Sequence, residues 1–329
     1  MPHKYCTGCV KIDRTGRALY SLATLFYPMM NLVSKSDLSN LNRAILHTAV
    51  YADIFDYPLT LAEIHRYLTG TSATVETVAK ALPGILRQVG DYYTLPGREG
   101  TVPTRQYRQQ VAARLWPRAR YFGALIARLP FVRMVAITGS LAMDNVEKDA
   151  DLDYLIVTAS GHLWLSRAMI LTLDRMATLQ GVRLCPNYII SQDMLEFSSH
   201  NLYTAHELAQ MVPLSGMDIY HQIRALNAWV EDFLPNADGA PPRTLANAEA
   251  GSVSWARTWL EAVLLTPPGA WLEDWEMRRK IRKLRRENAD NPEAVFSPDL
   301  CKGHSHRHGQ KTENVLRQRL ESIMSESTR

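Results

Sequence analysis

The sequence predicts an α+β protein in which helices flank a mixed sheet, with a small helical module before the sheet and a helical region after it. Two apolar runs rich in β-forming residues, 132–137 and 152–157, lie near the middle of the chain. A helical pattern at 162–179 and a third apolar run at 182–191 follow them. This alternation of strand, helix and strand indicates a parallel or mixed sheet that is covered by helices.

Length and composition fit a globular protein of two or three domains. The chain has 329 residues, of which 46% are hydrophobic and 21% charged. The formal net charge of +4 excludes neither a nucleic acid nor a small molecule as partner. Four cysteines provide no disulfide framework for a chain of this length. We therefore expect a reducing compartment and a cytoplasmic location.

Residues 1–37 are predicted to form an N-terminal extension. Its uncharged apolar run, 18–33, is shorter than the roughly 20 residues of a comfortable membrane span, so no membrane partner is expected. Cys6 and Cys9 form one Cys-x-x-Cys pair, whereas a structural zinc site needs four ligands. The pair is therefore consistent with two interpretations, a metal site and two unpaired cysteines.

Residues 38–104 show the order of a winged helix. From Leu38 onward, apolar residues recur at helical spacing, which predicts a first helix. A second helix is predicted after Thr60, because Thr60 and Glu63 have the spacing of a capping box. A third helix is predicted at 74–86 and a hairpin at 92–102. Winged helices often bind DNA through the third helix. Lys80 is the only cation of that helix, which favours a packing or protein-contact role for this winged-helix-like module.

The segments around the sheet region, 131–236, are predicted to be helical. Residues 105–130 read as connector helices that start anew or kink at Pro117 and present a solvated, arginine-rich face. Residues 237–329 read as a C-terminal helical region. It begins with a linker rich in Pro and Gly at 237–243 and continues with helices at 254–265, 271–286 and 312–324, the second of them strongly basic.

The two central strands carry the residues with the clearest chemistry. A turn containing Gly139 and Ser140 follows the first strand, and Asp151 and Asp153 begin the second. Residues two apart in a strand point to the same side, so the two carboxylates project together. Carboxylate oxygens suit Mg²⁺ or Mn²⁺, and a glycine turn lets backbone amides approach a phosphate. The two aspartates are therefore predicted metal ligands, although they could instead cap backbone amides.

Gly139-Ser140, ten residues and then Asp151-x-Asp153 resemble the signature of the DNA polymerase β-type nucleotidyltransferase superfamily. This resemblance covers about residues 132–191. The chain is also loosely similar to uncharacterised bacterial nucleotidyltransferase-domain proteins at 185–188, 202–208 and 301–304, a likeness that would extend over about 41–320. The resemblance implies a nucleotidyltransferase domain at 131–236, in which Asp151 and Asp153 are catalytic and Gly139 and Ser140 bind the nucleotide.

One departure concerns the third carboxylate that many members of this superfamily carry on a later strand. That carboxylate often acts as the base on the acceptor hydroxyl. The corresponding run, 182–191, contains no carboxylate, and its alternating face is predicted to read Cys185, Asn187, Ile189 and Ser191. Asn187, a weak metal ligand, and Asp193, just beyond the strand, are the candidates to replace it.

Two further groups of polar residues have both a functional and a structural interpretation. Lys302 and His304 lie in a loop with His306 and His308; Lys302 is predicted to contact the nucleotide and His304 is a candidate site residue. The histidines could also bind zinc adventitiously. His206 and Glu207, at the polar edge of a helix, are expected to be structural.

The predicted reaction is transfer of a nucleoside monophosphate from a nucleoside triphosphate to an acceptor, with release of pyrophosphate. The acceptor could be a small molecule, a protein side chain or an RNA end, so a nucleic-acid partner is possible. Two other functions stay open. One is a nucleotide-sensing or DNA-binding regulator with an inactive transferase fold, and the other is an interaction protein such as one half of a toxin–antitoxin pair.

Overall fold

The computed structural model describes residues 35–148, 150–244, 255–291, 293–303 and 308–326. At 35–39, 187, 308 and 324–326 it describes the backbone alone. The predictions made for Cys6, Cys9, His304 and His306 lie outside the described residues. In the part described, the chain forms, in order, α1 (Lys35–Asp53), β1 (Leu59–Thr60), α2 (Leu61–Arg66), α3 (Val75–Ala81), β2 (Arg87–Val89), β3 (Tyr92–Thr94), α4 (Thr101–Ala127), β4 (Val132–Ile137), α5 (Gly139–Ala142), β5 (Leu152–Thr158), α6 (Leu163–Thr178), β6 (Leu184–Ser191), α7 (Leu202–Gln210), β7 (Val212–Ser215), α8 (Met217–Leu226), α9 (Val230–Phe233), α10 (Trp255–Leu264), α11 (Pro267–Glu287), β8 (Val295–Phe296), β9 (Leu300–Lys302) and α12 (His308–Glu326).

The N-terminal module has three helices and a small antiparallel sheet with strand order β1-β3-β2. Thr60 and Glu63 form the predicted capping box at the start of α2. Two boundaries differ from the prediction. The third helix ends at Ala81, and the hairpin joins β2 to β3 through Gly90, whose φ of 61° suits a tight turn. Thr101 opens α4 and is not a strand residue. The winged-helix assignment itself stays a prediction.

Helix α4 is a single helix that continues through Pro117, so no second helix starts there. It packs on the sheet through a buried stripe formed by Ala112, Trp116, Ala119, Phe122 and Ile126. Arg105 was predicted to be solvated, but it is only 2% exposed. Its guanidinium donates to Glu63 Oε1 at 2.9 Å and lies 3.7 Å from the centre of the Tyr57 ring. The reason is that α4 joins the N-terminal module to the sheet and is buried where the two meet.

The main sheet is mixed and flanked by helices, as predicted. Its strand order is β7-β4-β5-β6-β9-β8, with β5 and β6 parallel and the other pairs antiparallel. Side chains of α4, α6 and α11 pack on one face of the sheet. Side chains of α1, α7, α8 and α12 pack on the other face. The core therefore consists of two apolar layers with the sheet between them.

Three strands of this sheet were not predicted. The C-terminal region was expected to be helical, yet it also supplies β8 and β9, of which β9 pairs with β6. Strand β7 contains Pro213 and lies at the edge of the sheet, where a missing N–H is tolerated. The helix expected over 217–233 is divided into α8 and α9 at Asn227, whose side chain bonds the backbone of Leu195 and Phe197. Within the described residues, no helix has both the length and the apolar character needed to cross a bilayer.

Candidate active site

The glycine turn and the aspartates meet because β4 and β5 are antiparallel. The end of β4 therefore lies beside the start of β5, and the N–H of Thr138 donates to the backbone carbonyl of Asp153 at 3.1 Å. Gly139 has a φ of 63°, and a Cβ atom there would lie 2.6 Å from Asp153 Oδ2. The Asp153 carboxylate thus lies directly against the Gly139 backbone, in a space that a larger residue would fill.

Gly139, Ser140, Asp151 and Asp153 line one cavity of about 570 Å³. Ser140 is exposed to it in the first turn of the short helix α5. The structure thus brings together the four residues that the sequence analysis grouped in the motif. A volume of this size lies within the roughly 300–1,000 Å³ of typical ligand pockets.

Five of the described aromatic residues line part of this cavity, which we call the aromatic wall, and most of them come from the N-terminal module. The Tyr51 ring stacks on the His206 ring with their centres 4.1 Å apart. Burial lowers the pKa of His206 to about 3, so this imidazole is neutral at physiological pH. The wall offers flat apolar surfaces for a planar ligand group; its rings belong to Tyr51, Phe55, Tyr57, Tyr67 and Tyr203.

Two residues outside the motif contact its carboxylates. Arg183 forms an ion pair with Asp151 at 3.1 Å, on a partly exposed surface. Cys185 faces Asp153 across the β5–β6 pair and hydrogen-bonds to it. Burial and the charges of Asp153 and Asp151 raise the pKa of the Cys185 thiol to about 12. Cys185 therefore stays a neutral thiol at physiological pH and does not replace the third carboxylate.

Of the two candidates to replace the third carboxylate, only Asp193 can be placed relative to Asp153. The β5–β6 register shifts between Asp153 and Leu155, so the face that begins at Cys185 continues through Tyr188, and Ile189 belongs to the core on the other face. The side chain of Asn187 lies outside the described part. Asp193 follows Ser191, which at about 3.3 Å per residue is roughly 20 Å from Cys185 along the strand. The prediction for Asp193 was therefore wrong.

Glu207 supplies a carboxylate to this cavity from helix α7. Burial raises its pKa to about 7, and the charge of Lys302 acts in the opposite direction. The charges of Glu207 and, more weakly, of Asp153 raise the pKa of the Tyr203 phenol, which therefore stays protonated. The sequence analysis expected Glu207 to be structural. The indication of a further role was that Glu207 is a carboxylate between His206 and Leu208, two residues that α7 buries.

Lys302 lies in a neighbouring cavity of about 290 Å³. Its Nζ is 5.7 Å from the centre of the Tyr188 ring. This second cavity shares Thr138, Tyr203 and Glu207 with the first, so the two are contiguous. Among the described residues, Lys302 lines the second cavity and not the first. It affects the first cavity through its charge, which lowers the pKa of Glu207.

The donor set fits a magnesium or manganese ion. The residues described as lining the main cavity include Asp151, Asp153 and Glu207 but no arginine or lysine. A triphosphate entering it needs a cation to offset these carboxylates. Within the described residues there is no group of three or more His, Cys, Asp and Glu side chains arranged to hold a metal. Mg²⁺ is commonly held by one or two carboxylates together with substrate phosphates, a role that suits Asp151 and Asp153.

Comparisons of the chain with protein-family models, with curated proteins and with solved structures find no match. The likeness to nucleotidyltransferases therefore rests chiefly on Gly139-Ser140 and Asp151-x-Asp153. What these residues do has to be inferred from the chemistry of the cavity that they line.

Proposed function

We propose that this protein is a metal-dependent nucleotidyltransferase of the DNA polymerase β type. It would move a nucleoside monophosphate from a nucleoside triphosphate to a hydroxyl-bearing acceptor and release pyrophosphate. The observation that carries the proposal is the Asp153 carboxylate held against Gly139, beside Asp151, in a cavity of about 570 Å³. This arrangement places carboxylates for a divalent cation next to a turn that a phosphate can approach closely.

The nucleotide would bind with its base on the aromatic wall and its phosphates at the glycine turn. Phe55 lines this cavity, is 39% exposed and presents a flat surface on which a base can stack. Ser140 is exposed in the turn and can donate its hydroxyl to a phosphate oxygen. Asp151 and Asp153 would hold Mg²⁺ or Mn²⁺. When bound, such an ion neutralises phosphate charge and stabilises the leaving pyrophosphate.

Glu207 would accept the proton of the acceptor. In the transfer, the acceptor oxygen forms a bond to the α-phosphorus and the bond from that phosphorus to the pyrophosphate oxygen breaks. Pyrophosphate leaves, and the hydroxyl proton passes to the Glu207 carboxylate. A pKa of about 7 suits a general base at neutral pH. The second cavity offers space beside Glu207 for the acceptor, which could be a small molecule, a protein side chain or an RNA end.

The alternative of a DNA-binding regulator has no specific observation in its favour. Helix α3, the candidate recognition helix, has only seven residues. Its exposed charges, Glu76 and Lys80, cancel. A helix without net positive charge is a poor partner for the phosphate backbone.

The test compares Asp151→Asn and Asp153→Asn with the wild-type protein during incubation with labelled triphosphates, Mg²⁺ and cell extract. Each variant should lose transfer by roughly 10²- to 10⁴-fold, because a charge worth several kcal/mol of transition-state stabilisation is removed. Asp193→Asn is the matched control and should keep full activity, since Asp193 follows the far end of β6.

Thermal melting completes this test. Without metal, both variants should melt close to the wild-type temperature, because each relieves repulsion between carboxylates and Asp151→Asn loses only a partly exposed ion pair with Arg183. Mg²⁺ with a triphosphate should stabilise only the wild type. Full activity in both variants, or unfolding of both, would contradict the proposed function.

A further inference from the structure

Four of the seven tryptophans are exposed on two consecutive helices, α10 and α11. The exposed fractions are 81% for Trp255, 59% for Trp259, 65% for Trp271 and 48% for Trp275. Leu260 and Val263 lie beside them and are exposed as well. We call these six residues the tryptophan face. Soluble proteins rarely expose a group of large apolar side chains of this kind unless it contacts a partner.

Helix α10 is inverted relative to an ordinary surface helix, because its charged side chains face the protein. Glu261 Oε1 accepts the N–H of Phe131 at 2.7 Å and the guanidinium of Arg133 at 3.0 Å. Arg257 donates to the carbonyls of Ala127 and Val132. On the opposite side of α10, the residues at helical spacing are Trp255, Trp259 and Val263.

Helix α11 is fixed in the same manner. The buried Glu273 accepts the backbone N–H groups of Trp164 and Leu165 at 2.8 Å each. At Gly269 the two helices touch, since a Cβ atom there would lie 2.1 Å from the Leu264 carbonyl oxygen. Polar contacts therefore anchor both α10 and α11 to the rest of the protein and leave the apolar side chains of each helix exposed to solvent.

A positively charged surface continues from the tryptophan face along α11. Trp271, Trp275, Arg278, Arg282 and Arg286 follow one another at helical spacing and are all exposed, over about 22 Å of helix. Residues 278–286 include seven arginines and lysines and no acidic residue. Arg282 and Arg286 donate to backbone carbonyls of their own helix. Along α11 the partner should therefore offer an apolar region next to an anionic one.

We propose that the tryptophan face binds peripherally to an anionic lipid bilayer. Tryptophan favours the bilayer interface, aliphatic side chains enter the acyl boundary, and arginines attract anionic headgroups. Leu260 and Val263 favour lipid over single-stranded nucleic acid, because aliphatic side chains provide no aromatic stacking for bases. The proposed contact is peripheral, and it differs in this respect from the expectation that the protein has no membrane partner.

Helix α10 contacts the sheet at a distance from the candidate active site. Helix α10 contacts Phe131 and Val132, at the start of β4. Gly139 follows the end of that strand, about 20 Å away at 3.3 Å per residue. None of the residues described as lining the cavity belongs to α10 or α11, so this proposal is independent of the proposed transferase activity.

The test is sedimentation of the full chain with vesicles of phosphatidylcholine alone, and with vesicles containing roughly 30% phosphatidylserine to give an anionic surface. The protein should sediment with the anionic vesicles, less so at high salt, and its tryptophan fluorescence should shift to shorter wavelength. Trp271→Ser with Trp275→Ser, and separately Arg282→Glu with Arg286→Glu, should each weaken vesicle affinity at least about tenfold. Leu179→Ser, at a side chain that is 90% exposed outside this face, is the matched control.

Three results would overturn the proposal. The first is a wild-type protein that binds neither kind of vesicle. The second is a wild-type protein that self-associates in light scattering and does not bind vesicles, together with a tryptophan variant that is monomeric. The third is RNA binding that both variants abolish while vesicle binding stays unchanged. Melting temperatures equal to that of the wild type establish that the variants are folded.

Discussion

Replacing Gly139 by alanine tests the contact on which the active-site geometry depends. The new Cβ would lie 2.6 Å from Asp153 Oδ2, whereas ordinary contacts begin at 3.4 Å. The carboxylate would therefore have to move by about 0.8 Å, the difference between these distances. A misplacement of about 1 Å in a catalytic group costs roughly 10²-fold in rate. We expect Gly139→Ala to lower metal-dependent transfer by about that factor.

The same substitution also has a cost in stability that is separate from catalysis. Gly139 has a φ of 63°, and a side chain in the left-handed region costs about 1 kcal/mol. The melting temperature should fall by roughly 2–4 °C. Gly161→Ala is the matched control, because Gly161 has a φ of 69° and nothing lies within 4 Å of its added Cβ. It should melt at a similarly reduced temperature and keep wild-type transfer.

The assay is single-turnover transfer from a labelled triphosphate with Mg²⁺ at saturation, together with calorimetry of triphosphate binding. The expected pattern is loss of transfer in Gly139→Ala alone, with a lowered melting temperature in both variants and at least as large a decrease in Gly139→Ala. If Gly139→Ala transfers as fast as Gly161→Ala, the Asp153 carboxylate does not act from the position seen here, and the metal role of this pair is refuted.

Two other predictions concern Glu207 and Arg105. As a base Glu207 must be ionised, so the kcat/KM of the wild type should decrease as the pH falls below about 7. In pH–rate profiles, Glu207→Gln should remove this acidic limb and lower the rate at neutral pH by roughly 10²-fold. Lys302→Ala should move the acidic limb to higher pH, because the charge of Lys302 lowers the pKa of Glu207. Because the folded pKa of Glu207 lies above its usual 4.5, its contribution to stability is lost as the pH rises from about 4.5 to 7, whereas the lowered pKa of His206 acts in the opposite direction up to about pH 6.5. The stability of Glu207→Gln relative to the wild type should therefore increase as the pH rises from about 4.5 to 7, and a constant difference between the two proteins would contradict the assignment. Arg105→Met should lower the free energy of unfolding, measured by urea denaturation, by about 3 kcal/mol, because Glu63 loses its buried partner. The double variant Arg105→Met with Glu63→Gln should lose less unfolding free energy than Arg105→Met alone, because it leaves no unpaired carboxylate.

Elements with strong periodicity could be predicted from the sequence. The strands β4, β5 and β6 and the helix α6 have apolar patterns that depend only on neighbouring residues. The meeting of Gly139 with Asp153 also followed from local pattern, because the two strands are consecutive and pair directly. Here the information needed was contained within about thirty residues of chain.

The short strands could not be predicted, for a physical reason. Strand β9 has three residues, and its central residue, Cys301, pairs with Ile189. Its extended form depends on a hydrogen-bonding edge supplied from far away in the chain, and three residues carry too little periodicity to indicate it. Strand β7 contains Pro213, which argues against a strand unless its edge position is known. Both cases depend on topology more than on local propensity.

Glu207 shows the same limit at the candidate active site. A third carboxylate was predicted near the strand beside Asp153, because strand spacing indicates only which residues share a face of that strand. What a general base requires is proximity to the reacting hydroxyl, whatever element carries it. Asp193 follows the strand that was searched but belongs to its far end, whereas α7 packs over the sheet and brings Glu207 into the cavity. The burial that raises the pKa of Glu207 is the same packing that places it there, so position and protonation have one cause.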